Sequence, residues 1–355
     1  MKRILIDARS ILFLVAYLSS LTASAVNEWF EFYNNTRSLA MGGASVAITS
    51  DDTSLFRNPA NLGSMREVYG TLLDPEVEGT SNLTASQADV TAVLGELTNK
   101  PDTYYRSKMQ ISPTVVARNF GFGLIYKNEI SAEIKSSDPT VMDTHYQNDA
   151  GVAMGINLRL FDGRVKIGAT GRMFNRIEVN NAALPVAGPT DLQSIASEGS
   201  ALAVDGGLLL QAPWTYIPTI GVVVRDIGNT KFNDGGQRMT TATRPAEVKQ
   251  SVDAAIAIFP IHSNRFRSVW TIEYTDIGNS RNDTDSAKRA HLGIEFNARD
   301  IFFFRLGYNQ RYLTAGFEIA SENLIWQVAS YGEEIGTQAV PREDRRLNMK
   351  VAVKF

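Results

Sequence analysis

A chain of 355 residues with 35 Lys and Arg against 38 Asp and Glu carries a formal net charge of −3, too balanced for a nucleic-acid surface or a polyanionic role. The absence of Cys excludes disulfides, thiolate metal sites and a lipidated cysteine at a signal cleavage point. Length alone accommodates one large barrel or two ordinary domains.

The chain opens with Lys2, Arg3 and Arg9, an apolar run from Ile11 to Leu21, and Ala23-Ser24-Ala25. That is the order a cleaved export signal needs, so residues 1–25 are expected to be removed and maturation to begin at Val26. An uncleaved helical anchor would want about 20 apolar residues, and the run is half that. No later stretch is long and apolar enough for a membrane helix, which leaves a soluble periplasmic protein or an outer-membrane barrel. Residues Val26 to Asn35 are aromatic and are expected at the periplasmic mouth, where Trp29, Phe30, Phe32 and Tyr33 would anchor at the interface or pack against the neighbouring segment.

The stretch from Thr36 to Gly63 has too many small residues to form its own core and too many polar ones to span lipid, so it needs walls from elsewhere. Arg37, Met41-Gly42-Gly43-Ala44, Asp51-Asp52 and Asn58-Pro59-Ala60-Asn61-Leu62 stand out within it. The glycines permit backbone shapes that other residues resist. Asn58-Pro59-Ala60 supplies a side-chain amide, a residue of fixed φ without an amide donor, and a small residue that admits close approach.

These residues, in this order, resemble the N-terminal plug of the FadL family of outer-membrane long-chain fatty acid transporters. They are equally similar to relatives of the PorV type, which serve protein secretion. The family's usual Gly after Asn-Pro-Ala is Asn61 here. The resemblance implies a plug over 26–65 with Arg37, Met41, Gly42, Gly43, Asn58, Pro59 and Ala60 as its holding or gating residues, and a barrel over 66–355 around it.

From Glu67 onward, segments of about ten residues with period-two patterning alternate with connections, the signal left by a transmembrane antiparallel β-barrel. About fourteen strands are predicted, near 66–74, 108–118, 120–130, 144–160, 164–177, 199–212, 217–228, 247–259, 265–277, 288–298, 301–309, 311–320, 323–332 and 343–355. In the last, Leu347, Met349, Val351, Val353 and Phe355 fall on one face and Asn348, Lys350, Ala352 and Lys354 on the other. A half-buried strand of a sandwich gives the same alternation. The terminal Phe355 also resembles the signal read by the barrel-assembly machinery of Gram-negative bacteria, which favours the barrel.

The connections sort into two classes. Short ones come after the second, fourth and each later even-numbered strand, and long ones mostly after the odd-numbered strands, with Asn309-Gln310-Arg311 the exception. Short turns face the periplasm in such barrels and long loops face outward, so both termini are expected on the periplasmic side. The first long loop carries a helix pattern over 86–97, and a fainter one lies over 189–198. In fatty-acid transporters outer helices form a greasy groove, so the resemblance makes Val90, Val93, Leu94 and Leu97 candidate ligand contacts; packing onto the rim explains the same pattern.

No catalytic constellation is evident: His145, His262 and His291 lack partners at a recognisable spacing, and no nucleophile elbow is present. Asp51-Asp52 and Asp283 with Asp285 lack the spaced oxygen ligands of a known Ca²⁺ loop. The sequence therefore predicts no cofactor and no enzyme. It predicts an outer-membrane barrel passing a hydrophobic, fatty-acid-like small molecule, or alternatively a PorV-like barrel that binds a protein of a secretion or surface-attachment system. The expected surroundings are the lipid bilayer and the barrel-assembly machinery.

Overall fold

The computed structural model describes residues 26–355 apart from 49–50, 83–89, 187–191, 237, 240 and 242, so the proposed signal segment lies outside the described residues. Seventeen antiparallel strand segments, β1 to β17, form one sheet that closes on itself: β17 pairs with β1 and β2, and these pair in turn with β4 and β3. Closure removes the unpaired edges that lipid would not tolerate.

Three pairs of segments are single wall strands interrupted at a proline, which gives the fourteen-strand barrel expected from the sequence. The pairs are Tyr69–Leu73 (β1) with Glu76–Thr80 (β2), Tyr104–Ile111 (β3) with Thr114–Ala117 (β4), and Ser251–Ile258 (β10) with Ile261–Ser263 (β11). The other wall strands are Phe120–Ile134 (β5), Val141–Leu160 (β6), Val165–Pro185 (β7), Ser197–Gln211 (β8), Thr219–Arg225 (β9), Phe266–Tyr274 (β12), Ala290–Ala298 (β13), Phe302–Asn309 (β14), Tyr312–Ala320 (β15), Leu324–Glu334 (β16) and Glu343–Lys354 (β17).

The predicted loop 75–107 is therefore too long. Pro75 and Pro113 have no amide to donate, so a reading of local signals stops there, whereas the neighbouring strands carry the ladder past both breaks. A side chain bridges the gap. Asp74 Oδ1 accepts from the Ser112 amide at 2.6 Å, Oδ2 accepts from its hydroxyl at 2.8 Å, and Lys350 Nζ lies 3.0 Å from Oδ2. Asp74→Ala would leave Lys350 and the Ser112 amide buried with fewer partners. It is expected to destabilise the barrel by about 2–3 kcal/mol and to speed amide exchange at Ser112; an unchanged exchange rate there would rule out this account of the seam.

Lipid-facing and lumen-facing side chains separate as the alternation requires. On β17 Leu347, Met349, Val351 and Val353 are exposed, as is Phe355 just after it, while Asn348, Lys350 and Ala352 are buried inside. Phe302, Phe304, Leu306 and Tyr308 likewise face out and Arg305 faces in. Connections at 118–119, 161–164, 264–265, 299–301 and 321–323 share the end where Phe355 lies, which is the periplasmic end by their shortness. At the other end β6 and β7 run 20 and 21 residues, about twice the 9–11 that a tilted strand needs to cross. That side of the wall stands well above the bilayer, and strands β9 to β15 do not.

Candidate functional site

The leading segment lies inside the cylinder, in contact with strands around its circumference. Asn35 caps the helix Thr36–Ala40 by accepting from the Ser38 amide at 2.7 Å, and the Ser38 hydroxyl closes a reciprocal capping box. The chain then turns at Met41-Gly42-Gly43, with φ of +68° and +88° at the glycines. Gly42 lies against the wall backbone: its amide donates to Thr314 Oγ1 at 3.1 Å and its carbonyl accepts from His291 Nδ1 at 2.7 Å. Met41 is fully buried against Gly293.

Charged wall residues grip the next turn. Glu273 Oε2 accepts from the amides of Ser45 and Val46 at 2.7 and 2.8 Å. Arg37 forks onto Glu295 with two bonds of 2.9 Å and reaches Asp51 at 2.9 Å, and Arg305 bridges Glu295 to Glu318. Arg57, 3% exposed, binds Glu31 at 3.0 Å and the carbonyls of Tyr33 and Gly43 at 3.1 Å. A bidentate guanidinium with its remaining donors satisfied is the arrangement that makes buried charge tolerable.

Asn58 Nδ2 donates to the Val46 carbonyl at 2.9 Å, and its Oδ1 accepts from the Ala60 amide at 3.0 Å. Pro59 then opens a 3-10 turn over Pro59–Ser64, at the position where a missing amide costs nothing. Pro59 and Ala60 lie directly on Gly168 of β7 and Gly207 of β8, where a wall side chain would collide. Asn61, in place of the family's usual glycine, donates to the Val46 carbonyl at 3.1 Å, so the turn is fastened by a side chain instead of being freed by a glycine.

The structure thus brings together Arg37, Met41, Gly42, Gly43, Asn58, Pro59 and Ala60 as a single wall-bound body. It does not bring the outer helix to them. Val93 and Leu97 of the helix Val90–Asn99 are buried against Tyr105, Ala132 and Ile134, with Leu94 half-buried beside them. Val90 lies in the first turn of that helix, its side chain outside the described ones, and Val93, Leu94 and Leu97 line neither large cavity. The fainter helix is one turn, Leu192–Ile195.

One placement is reversed. Val26 to Tyr33 were expected at the periplasmic mouth but line the outer half of the lumen, among loop residues 246–249 and 280–281. The Asn27 amide donates to Ile335 at 2.9 Å, and Asn27 Nδ2 and the Trp29 indole both donate to Asp283, at 3.1 and 3.0 Å. Arg281 stacks on Trp29, and Lys288 binds the Asn27 carbonyl at 2.5 Å. Burial alone would raise the Asp283 carboxyl, yet the Asp285 amide, Lys288 and the Trp29 indole hold it below the usual carboxylate range. Asp285 pairs with Arg311, so these acids are engaged by cations, and no group of possible metal ligands occurs among the described residues. Aromaticity suggested an interface anchor; nothing in the sequence signalled that these rings would meet Asp283 and Arg281 of a distant loop.

Sequence reasoning also missed Glu273, Glu295, Arg305 and His291. Their one signal was an inward-facing charge or ring on an alternating strand, which does not reveal its partner.

Two cavities flank the inserted segment. The outer one, about 670 Å³, is lined by Trp29, Phe30, Phe32, Phe174, Arg172 and Arg176 among others. Within it Phe30 stacks on His145 at 3.7 Å and Phe32 meets Phe174 at 4.8 Å, with Arg172 over the Phe32 ring. The periplasmic one, about 910 Å³, is lined by Asp51, Gly63, Met65, Ile217, Phe259 and Arg305 among others. Both fall in the range of small-molecule sites.

The structure is a closed fourteen-strand antiparallel barrel whose lumen holds the chain's own leading segment. Among solved structures the chain is similar to a monoaromatic hydrocarbon channel, CymD, at 11% identity and a TM-score of 0.57, covering 90% of this chain and 97% of that one. It is also similar to the Pseudomonas putida toluene transporter TodX at 12% and 0.54 (92% and 99% covered), and to a Pseudomonas aeruginosa FadL homologue at 11% and 0.53 (93% and 99%). No family model and no curated protein sequence matches the chain. In fold, the protein is a FadL-like β-barrel.

Proposed function

We propose that the barrel mediates passive uptake of hydrophobic small molecules across the outer membrane, with residues 26–65 as a plug whose displacement joins the two cavities. The observation that carries this reading is the pair of ligand-sized cavities separated only by that segment, the outer one floored by Phe30, Phe32 and Phe174. Aromatic faces accept an apolar or aromatic body, and the arginines stacked on them leave room for a polar group. The hydrocarbon-channel neighbours support the same substrate class. Diffusion needs no energy source. For exit into the bilayer, which the resemblance implies, the Asp74–Ser112 contact at the Pro75 and Pro113 breaks is the proposed point of opening.

Purified barrel in liposomes is expected to accelerate uptake of labelled toluene or a fatty acid relative to protein-free vesicles. An unchanged rate across such a panel would remove the proposal.

A second reading, protein docking, rests on the outer ends of β6 and β7, which stand above the bilayer, and on a plug held by many ion pairs. Stoichiometric co-purification of a secretion-system protein from solubilised membranes, lost when the outer connection 135–140 between β5 and β6 is trimmed, is its test.

A further inference from the structure

Most lumenal cations that grip the plug meet a carboxylate: Arg37, Arg57, Arg106, Lys108 and Arg305 are each ion-paired. The periplasmic cavity departs from this rule on one side. Arg66, Arg118, Arg159, Lys166 and Lys354 all line it, and among the described residues none of the five forms an ion pair. Lys166 is 4% exposed, and its ammonium is held by two neutral oxygens, Ser64 Oγ at 2.8 Å and Gln211 Oε1. Arg159 has its Nε shielded from solvent with no hydrogen-bond partner, and its guanidinium lies against Gly163, occupying the place where a Cβ would stand. Arg118 reaches only the Met65 carbonyl, at 3.5 Å. Asp162 lines the same mouth but pairs with none of them. The other carboxylates there are engaged: Asp51 and Glu295 with Arg37, Glu318 with Arg305, Asp300 with Arg267, and Asp52 with the Thr71 hydroxyl.

Of the five, Lys166 is buried and Arg159 and Lys354 are half-buried, while Arg66 and Arg118 are exposed at the mouth. A buried cation without counter-charge is costly, and its burial is sustained when an anion completes the set. We infer that the periplasmic cavity is a phosphate-binding site, centred on Arg159 and Lys166 and flanked by Arg118, Arg66 and Lys354. A single carboxylate would leave most of this charge uncompensated. A phosphate group carries up to two negative charges and several acceptor oxygens, matching the two central cations, Arg159 and Lys166, and the planar donor fork of arginine. The phosphate has two sources, free phosphate in the periplasm or the headgroup of a lipid whose acyl part would lie along Ile217 and Ile261 of the same cavity. The inference is independent of hydrocarbon uptake, since it concerns a charged group on the far side of the plug.

Titration calorimetry of the purified barrel in a neutral detergent tests it, with inorganic phosphate in one arm and dihexanoyl phosphatidic acid below its micelle concentration in the other. Binding in either arm is expected, weakened about tenfold or more in the double variant R159Q/K166Q. Equal affinity in both arms identifies the free anion, and binding of the lipid alone identifies the headgroup. Arg164→Gln, on the same turn but exposed and outside the cavity, is expected to leave affinity within about twofold. Retained heat-shifted gel mobility reports that a variant is folded; should the double variant not fold, Lys354→Gln is expected to weaken binding about threefold or more. Absence of binding in both arms, affinity unaltered by these variants, or an equal loss in Arg164→Gln overturns the inference.

Discussion

Arg37→Ala is expected to destabilise the detergent-solubilised barrel by about 3–5 kcal/mol, the usual consequence of breaking a buried ion pair by removing one partner. Glu295, whose side chain is 4% exposed, would keep only Arg305, and Asp51 would lose its cation. Both carboxylates were brought into the lumen against their hydration, so the loss exceeds that of a surface pair. Arg37→Lys keeps the charge but loses the two-pronged contact and should fall between. Tryptophan fluorescence during urea unfolding checks the stability. Swelling of liposomes in a small neutral solute checks the plug, which should leak faster in Arg37→Ala. An unshifted urea midpoint would show that the cluster does not hold the segment.

Gly42→Val is expected to be at least as damaging. The backbone at φ +68° is a shape that costs an ordinary residue about 1–2 kcal/mol. The new Cβ would stand 2.6 and 2.7 Å from the carbonyl oxygen and amide nitrogen of Tyr308, wall backbone that cannot turn aside as a side chain can. Adding overpacking of about 1–3 kcal/mol, the variant should lose the compact form that migrates fast on unheated gels, or keep it only with the segment expelled. Gly171→Ala is the control, because nothing lies within 4 Å of the Cβ it would acquire. Protease cleavage within 26–65 in the variant, absent in the control and the parent protein, would report expulsion. Parent-like mobility together with parent-like protease resistance would show that the close approach is unimportant.

The wall was largely legible in the sequence because the information for it is local. Leu347 to Phe355 alternate, a strand turns successive side chains to opposite sides, and a water-filled or segment-filled lumen against lipid rewards that alternation at every step. Turn lengths at 118–119, 161–164 and 299–301 carried the orientation for the same reason. Where local signals misled, a neighbour was responsible. Pro75 and Pro113 read as strand ends, yet β17 and β5 on either side hold the ladder through the breaks. The helix at Val90–Asn99 was foreseen from its spacing, but that spacing does not distinguish a ligand groove from the rim contacts of Val93 and Leu97.

By itself the sequence determined which residues face lipid, how many strands surround the lumen and that the stretch from Thr36 to Gly63 needs an enclosing wall. Only the tertiary structure decided that residues 26–33 lie in the outer half of the lumen, with Trp29 on Asp283, that Arg37 meets Glu295, and that Lys166 meets no acid among the described residues. The reason is separation along the chain. Alternation is set by adjacent residues, whereas the partner of an inward charge is fixed when the barrel closes and brings together groups as far apart as Thr36 and Asn348.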